Sequence, residues 1–397
     1  MTNPVLSLCM AATLAIAGCG TSGSVSSRTP KAPASTEPSS SARTPAPLSD
    51  TVTLALLAPQ SGPRKSAVQL GQALAQAARM GIVDLRDRTV ELKVYDTAAD
   101  PSRAAQMATK AIADGADIIL GPLFGSATKT VGPIASSAGL KVLSFSTDTS
   151  AAGGDVWVTG FLPEMEAARI LSYASAQGYP TVGVFYPRTP YGRAALRGAE
   201  EASSRGRTSL IGAGGFQPGF AGIQSAAGDF AGAAAGADAV LIATGGNDLK
   251  SAGTFMDFYN FNPRVVKFLG LGQWYSGATL KELTLRGGWF PAPDPVQSTR
   301  FSERFLSQYG SKPPLLAVLG YDAVQIAGQS VVAARAAGGT GGISTEILTR
   351  SQGFKGALGA VRLTSDGRNE RALAILEVSD RNFVTIDPAP VSFAPGF

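Results

Sequence analysis

Short apolar runs alternate with segments of helical period along most of this chain. "TVTLALLAP" (51–59) is a continuous apolar run closed by a proline. A strand covered on both faces reads this way. The next segment, "KSAVQLGQALAQAARMGIVDL", repeats its apolar residues at helical spacing. "TVELKVYDT" (89–97) alternates and predicts a second strand. "DPSRAAQMATKAIADG" predicts a helix that opens on Asp-Pro and is capped by Gly115. "ADIILGPL" predicts a third strand, "SATKTVGPIASSAG" a short helix and "LKVLSFSTD" a fourth strand. Strands and helices in this rhythm predict a parallel sheet between two helical layers.

The rhythm then restarts. "PTVGVFYP" (180–187) predicts a strand, and a helix follows from Tyr191 to Ser204. "SLIGAGGF" predicts a strand, "DFAGAAAGAD" a short helical stretch and "AVLIATGG" another strand, with "RVVKFLGLGQW" (264–274) closing the run. Gly115-Ala-Asp-Ile-Ile-Leu in the first half echoes Gly236-Ala-Asp-Ala-Val-Leu in the second. Restart and echo together predict two α/β lobes of one doubly wound architecture.

Open parallel sheets bind ligands beyond the carboxyl ends of their strands. Gly, Pro, Ser and Thr cluster at those ends here: Pro59 to Gly62, Gly121 to Ser126, Ser144 to Asp148, and Thr244 to Gly246. Small residues let a ligand approach the backbone, and free N–H groups and hydroxyls bind anionic or zwitterionic groups. The same residues also make ordinary strand-to-helix turns. Their recurrence at corresponding strand ends points to a cleft.

Composition narrows the chemistry. The chain has 397 residues, 44% apolar and 16% charged, so it is well cored and long enough for two lobes. Lys and Arg number 34 against 29 Asp and Glu, a net charge of +5, with no basic run. That pattern does not call for nucleic acid. There is no histidine. Ser-His-Asp and Cys-His catalysis and His-ligated metals are thereby removed, and no cofactor or metal is expected. The two cysteines, Cys9 and Cys19, both fall in the first twenty residues, so the folded body has no thiol and no disulfide.

The amino terminus reads as an address. "LSLCMAATLAIAGCG" is an apolar run of secretory length, too short for a comfortable membrane span. Its end, Ile16-Ala-Gly-Cys19, resembles the lipobox of bacterial lipoproteins, which implies cleavage after residue 18 and lipidation of Cys19. Gly20, in place of Asp, resembles the outer-membrane destination. Residues 19–50 are rich in Ser, Thr, Pro and Ala and cannot bury apolar surface. They predict a tether of roughly 30 Å as a coil.

In order, "LLAPQSGP", "VYDTAADPSRAAQMATKAI", "DGADIILGPLFGSAT", "LSFSTDT", "TVGVFYPRTPYGRA", "GADAVLIATGG" and "GYDAVQIAG" resemble the type I periplasmic binding proteins of the leucine-binding group. The resemblance implies two lobes joined by three crossovers with a ligand between them. "FKGALGAVRLTSDGR" (354–368) resembles the last crossover strand. The lobes are expected at 51–159 with 290–352, and at 160–289 with 353–397. The strand-end clusters and the resemblance together give as cleft residues Ser61, Phe124, Gly125, Ser126, Ser146, Thr147, Asp148, Tyr191 and Gly245, with Gln273 and Trp274 as substitutes for the family's second-lobe groups. Several depart from the family pattern. Asp148 stands where Thr is usual and would repel a ligand carboxylate. Gly125 stands for a Ser. Gly245 and Gly272 replace an aromatic and an acid of the second lobe, which removes the expected partner of an α-ammonium.

"GPLF", "LSFSTD" and "TGFLPEMEAARILSYASAQGYPTVGVFYPRTPYGRA" resemble the penicillin-binding-protein activator lipoproteins of proteobacteria. That subgroup implies a non-enzymatic, outer-membrane-anchored regulator with a peptidoglycan synthase as partner. The alternative is the substrate-binding subunit of an ABC importer, with a permease and an amino-acid-like ligand as partners. Ser126-Ala-Thr-Lys129 spells S-x-x-K, but no K-[ST]-G and no S-x-N accompanies it, so a helix start at the cleft rim is the better reading. Phe301, Phe305 and Tyr309 have helical spacing and predict core. "WFPAPDP" predicts a crossover that could expose Trp289. Trp274 and Tyr275 are the aromatics expected at the cleft.

Overall fold

A computed structural model of the chain describes residues 48, 50–337 and 342–393. The leader and Cys19 lie outside the described residues, and of the expected tether only Leu48 and Asp50 are described.

The first lobe holds β1 (Val52–Ala58), α1 (Lys65–Leu85), β2 (Val90–Asp96), α2 (Pro101–Ala113), β3 (Ile118–Leu120), α3 (Gly125–Ser137), β4 (Lys141–Ser144) and β5 (Val156–Val158). Its sheet runs β2-β1-β3-β4-β5, every neighbouring pair parallel. All of β1 is buried, for the reason its sequence suggests. Leu54 and Leu56 face a core shared with α1, and Ala55 and Leu57 face the core under α2 and α3. Each fully buried Leu contributes about 1.5–3 kcal/mol relative to exposure. Asp100 caps α2 through Arg103 N–H at 2.7 Å, and Gly115 ends it with φ +82°.

The second lobe follows with α4 (Pro163–Ala176), β6 (Thr181–Pro187), α5 (Pro190–Ser204), β7 (Ser209–Phe216), α6 (Phe220–Ala233), β8 (Ala239–Ile242), α7 (Gly246–Phe258), β9 (Lys267–Leu269) and β10 (Trp289–Ala292). The chain returns to the first lobe through α8 (Pro295–Tyr309), α9 (Val318–Ala336), α10 (Thr345–Leu348) and the antiparallel β11 (Phe354–Gly356), β12 (Gly359–Leu363) and β13 (Asn369–Arg371). It ends in the second lobe with β14 (Ala374–Val378) and β15 (Phe383–Asp387). The second sheet runs β15-β14-β10-β9-β8-β6-β7, with only the β14 and β15 pairings antiparallel.

Four expectations shift here. β10 belongs to the second sheet, so the second crossover follows Ala292 and does not precede residue 290. Phe354, Leu358, Val361 and Leu363 pack into the core of the first lobe, so 353–371 does not belong to the second lobe. Its apolar face has α9 to cover, and the last crossing falls between β13 and β14. Trp289 is not exposed either: it is 9% accessible, edge-on to Tyr173 and Tyr179, and its indole N–H donates to Glu377 at 2.9 Å. The helix expected within 229–238 begins earlier, as α6, because Gly and Ala give little periodicity to read.

The crossovers are tied by side chains. Asn369 donates to the carbonyls of Val158 and Gly160, both at 2.9 Å. Arg371 donates to Asp322 at 2.6 Å and to Thr159 O at 2.8 Å, and lies over the Phe161 ring. Asp322 also accepts from Ala357 N–H at 2.8 Å. The "GYD" aspartate thus anchors a buried ion pair at the hinge.

Candidate functional site

A cleft of ≈ 1080 Å³ lies where strand ends of the two lobes meet. The first lobe contributes Phe124, Gly125, Ser126 and Lys129 from the start of α3, and residues 145–150 after β4. The second contributes Pro163 from α4, and Thr189, Pro190, Tyr191, Arg193 and Arg197 from α5. The opening turn "GPLFGS" forms because Gly121 adopts φ +93° and a Cβ there would stand 2.3 Å from Leu57 O. That close approach swings Phe124 to Ser126 to the head of α3.

Seven of the expected residues line this one space: Phe124, Gly125, Ser126, Ser146, Thr147, Asp148 and Tyr191. The Ser146 hydroxyl is engaged, accepting Asp148 N–H at 2.9 Å. Ser126 and Thr147 are exposed. The Arg64 guanidinium lies 4.9 Å from the centre of the Phe124 ring and holds its outer face.

Asp148 does not present a bare charge. Its Oδ1 accepts the Ser150 N–H at 3.1 Å and the Ser150 hydroxyl, and its Oδ2 pairs with Lys129 at 2.9 Å. Burial pushes its pKa up, but the bonds from Ser150 and Lys129 outweigh it and the carboxyl stays below its ordinary value. The repulsion expected of Asp148 is therefore muted. Gly125 follows from the same contact, since a Cβ there would stand 2.6 Å from Asp148 Cβ.

The second wall departs further from the expectation. Trp274 is fully buried in the second-lobe core, and its indole N–H donates to Ile242 O at 3.1 Å. Tyr275 packs on Phe290 and Phe383. Neither aromatic lines the cleft, because the turn after β9 needs their apolar area to close the core. Ser61 is not a lining residue either, and its hydroxyl donates to Asp96 at 2.5 Å. Gly245 and Gln273 adjoin each other, since a Cβ at 245 would stand 2.9 Å from Gln273 Cβ, and neither is among the residues that line the cleft.

Two carboxylates were not anticipated. Glu164 and Glu166 stand in the first turn of α4 and are 2% and 6% exposed. Glu164 Oε1 accepts from Arg197 at 2.8 Å and from Thr149 of the opposite lobe at 3.2 Å, while Oε2 is buried without a partner among the described residues. Glu166 Oε2 accepts from Gly272 N–H at 3.0 Å and from the Tyr191 hydroxyl at 3.5 Å. A Cβ at residue 272 would stand 2.7 Å from Glu166 Oε1. The acid missing from position 272 is therefore replaced in space by one from α4. Burial raises the Glu166 pKa to about 7, opposed by the Gly272 and Tyr191 bonds and reinforced by the nearby Glu164 charge. Burial and Glu166 together push the Tyr191 hydroxyl well above its ordinary value. In the sequence, "PEMEAAR" reads only as acids at a helix N-terminus, where the helix dipole favours them.

A family model described as "Periplasmic binding protein" matches residues 51–382. The chain belongs to this family. Among solved structures, a branched-chain amino acid ABC transporter periplasmic ligand-binding protein from Burkholderia xenovorans superposes with a TM-score of 0.66 at 16% identity, over 86% of this chain and 96% of that one. LivJ of Streptococcus pneumoniae, a branched-chain amino acid transporter substrate-binding protein in complex with isoleucine, gives 0.56 at 16% identity, over 85% and 100%. An R. palustris ABC transporter solute-binding protein in complex with benzoate gives 0.57 at 18% identity, over 87% and 98%. These likenesses show the type I, leucine-binding-like fold. No curated protein matches the sequence. Membership implies a location outside the cytoplasm for this periplasmic binding protein.

Proposed function

We propose that this chain is the substrate-binding subunit of an ABC importer for a small amino-acid-like solute. The observation that carries the reading is the cleft itself. Tyr191, the head of α3 and the serine-rich turn after β4 converge there from two lobes, and the charges of Asp148 and Glu164 are balanced by Lys129 and Arg197. Such a wall can accept a ligand carboxylate at backbone N–H groups and hydroxyls. The transporter proteins that share this fold, one holding isoleucine and one benzoate, support the reading. The role is one of binding and hinge closure without catalysis. The test is a thermal-shift scan of the purified protein against single amino acids and small carboxylates at millimolar concentration. A micromolar ligand at that excess should stabilise by about 4 kcal/mol. A well-folded protein that responds to none of them would sink the importer reading.

A second reading is a lipid-anchored activator of peptidoglycan synthases. The strings around "GPLF" and "TGFLPEMEAARI" support it, and so do exposed aromatics able to dock a partner: Phe220 and Phe258 are 62% and 72% exposed, with the Phe220 ring tilted against Phe255. In that reading Cys19 carries the anchor in the outer membrane and 19–50 the reach. Pull-down of penicillin-binding proteins by wild type, and loss of it in a Phe220→Ala, Phe258→Ala double variant, would favour the activator.

A further inference from the structure

The charges that line the cleft do not balance. Among the described residues its walls carry Lys129, Arg193 and Arg197 against Asp148 alone. Lys129 is paired with Asp148, and Arg197 with the buried Glu164. Arg193 has no acid within ion-pair reach among the described residues. Its side chain is exposed and donates once, from Nη1 to the Arg188 carbonyl at 2.9 Å. A guanidinium has five N–H donors, so most of them remain for a ligand.

The fold sets this cation on the ligand side of α5. Pro190, Arg193, Ala194 and Arg197 stand at i, i+3, i+4 and i+7 and share the face that lines the cleft. Ala194 adds little bulk beside the two arginines. The Thr149 hydroxyl of the first lobe donates to Glu164 at 3.2 Å, and Glu164 holds Arg197 at 2.8 Å. The arginine face of α5 therefore stands across from the turn after β4. The space is ≈ 1080 Å³, at the upper end of the range of about 300–1,000 Å³ for small-molecule sites. It has room for a solute that extends from the head of α3 to α5.

On the reading of the cleft as a solute site, we propose that the solute carries an acidic group at each end, the first at the head of α3 and the second on Arg193, with Arg197 beside it. A planar guanidinium fork suits a carboxylate or a phosphate. A solute with one acid leaves Arg193 unpaired while closure takes it partly out of water, and that is costly. A second acid removes the cost and adds charge-assisted hydrogen bonds. Arg193 is also the cation that can be removed cleanly. Loss of Arg197 would strand the buried Glu164 charge, whereas Arg193 gives up only one bond to a backbone carbonyl.

The experiment is titration calorimetry on the purified protein with straight-chain dicarboxylates, with monocarboxylates of equal length, and with carboxylates of that length ending in a phosphate. Each is measured at low and at high salt. The expected result is that the diacids bind about tenfold or more tighter than the monoacids. That advantage should shrink by about tenfold in Arg193→Gln, return only in part in Arg193→Lys, and weaken with added salt. Whichever end group binds tighter, carboxylate or phosphate, names the acid that the seat takes, and either supports the proposal. The diacid advantage of the wild type tests it even should the variants fold poorly. Monoacids that bind the wild type as tightly as diacids, or an advantage unchanged in Arg193→Gln, would overturn the second acid seat and leave the solute reading intact. Failure of every acid and every amino acid to bind a well-folded protein would overturn both.

Discussion

Asp148 lines the cleft and Glu166 lies buried behind Tyr191 of its other wall, and the two show how differently carboxylates can be used. Each presses on a glycine: a Cβ at Gly125 would stand 2.6 Å from Asp148 Cβ, and one at Gly272 would stand 2.7 Å from Glu166 Oε1. There the likeness ends. The Asp148 side chain is 40% exposed and held by Ser150 and Lys129. Glu166 is buried and receives one N–H and one distant hydroxyl. Their pKa values move in opposite directions as a result, Asp148 down and Glu166 up to about 7. Partners and solvent, not residue type, decide whether an acid here stays charged or is pushed towards holding a proton.

The largest expected effect comes from turning a paired buried acid into an unpaired one. Asp322 is as buried as Glu166, with its side chain 1% exposed, but it has Arg371 at 2.6 Å. Arg371→Met removes the cation and should cost about 3–5 kcal/mol in chemical unfolding. A loss below about 1 kcal/mol would show that Asp322 tolerates isolation as Glu166 does.

Next in size is the pH dependence of stability. The folded pKa of Glu166, about 7, lies above the ordinary 4.5, so the unfolded chain loses this proton first as pH rises. Stability from this group falls between about pH 4.5 and 7 by about 3 kcal/mol and is level above that. Asp148 acts in the opposite sense: its depressed pKa lends stability above the unfolded value, and that is lost as pH falls through the folded one. Unfolding curves at pH 4.5 and 8 should therefore differ by less after Glu166→Gln than in the wild type. An unchanged difference would place the titration elsewhere.

Much of this contrast was out of reach of the sequence. The two lobes were legible because β1, β3 and β8 are short apolar runs between helices, and the head of α3 because only a glycine turn can follow "DIIL" so closely. Ser146 and Asp148 were found in a cluster at a strand end, and Tyr191 through the family resemblance. Glu166 was not. An acid in the first turn of a helix is ordinary, and its burial depends on Gly272, which is more than a hundred residues away. Trp274 was placed at the cleft because an aromatic near a strand end suits a ligand as well as a core, and only the packing of Ile242 and Phe290 decides between them. The lobe boundary slipped at 353–371 because β11 to β13 have apolar residues that either lobe could bury.

The two glycines give a smaller and more pointed test. Gly272→Ala sets a Cβ against a buried carboxylate backed by α4, which cannot retreat. It should destabilise by about 1–3 kcal/mol. Gly125→Ala meets Asp148, which has solvent to move into, and should cost less than Gly272→Ala. If the two variants unfold at the same denaturant concentration, the walls are equally rigid, and the contrast drawn from burial fails.

The smallest effect on stability should come from Lys129→Met. Its pair with Asp148 is half in solvent, with side chains 51% and 40% exposed, so the cost is at most about 1 kcal/mol and shrinks with added salt. Its effect on binding should be larger than its effect on stability. Without Lys129 the Asp148 charge faces the cleft uncompensated, and a ligand carboxylate at the head of α3 meets the repulsion that the ion pair now mutes. Affinity for a carboxylate solute should fall several-fold in Lys129→Met and recover when Asp148→Asn is added. Recovery would show that the lysine acts by masking Asp148. Persistent loss in the double variant would show instead that Lys129 itself holds the ligand, and Asp148 would then be the group that positions it.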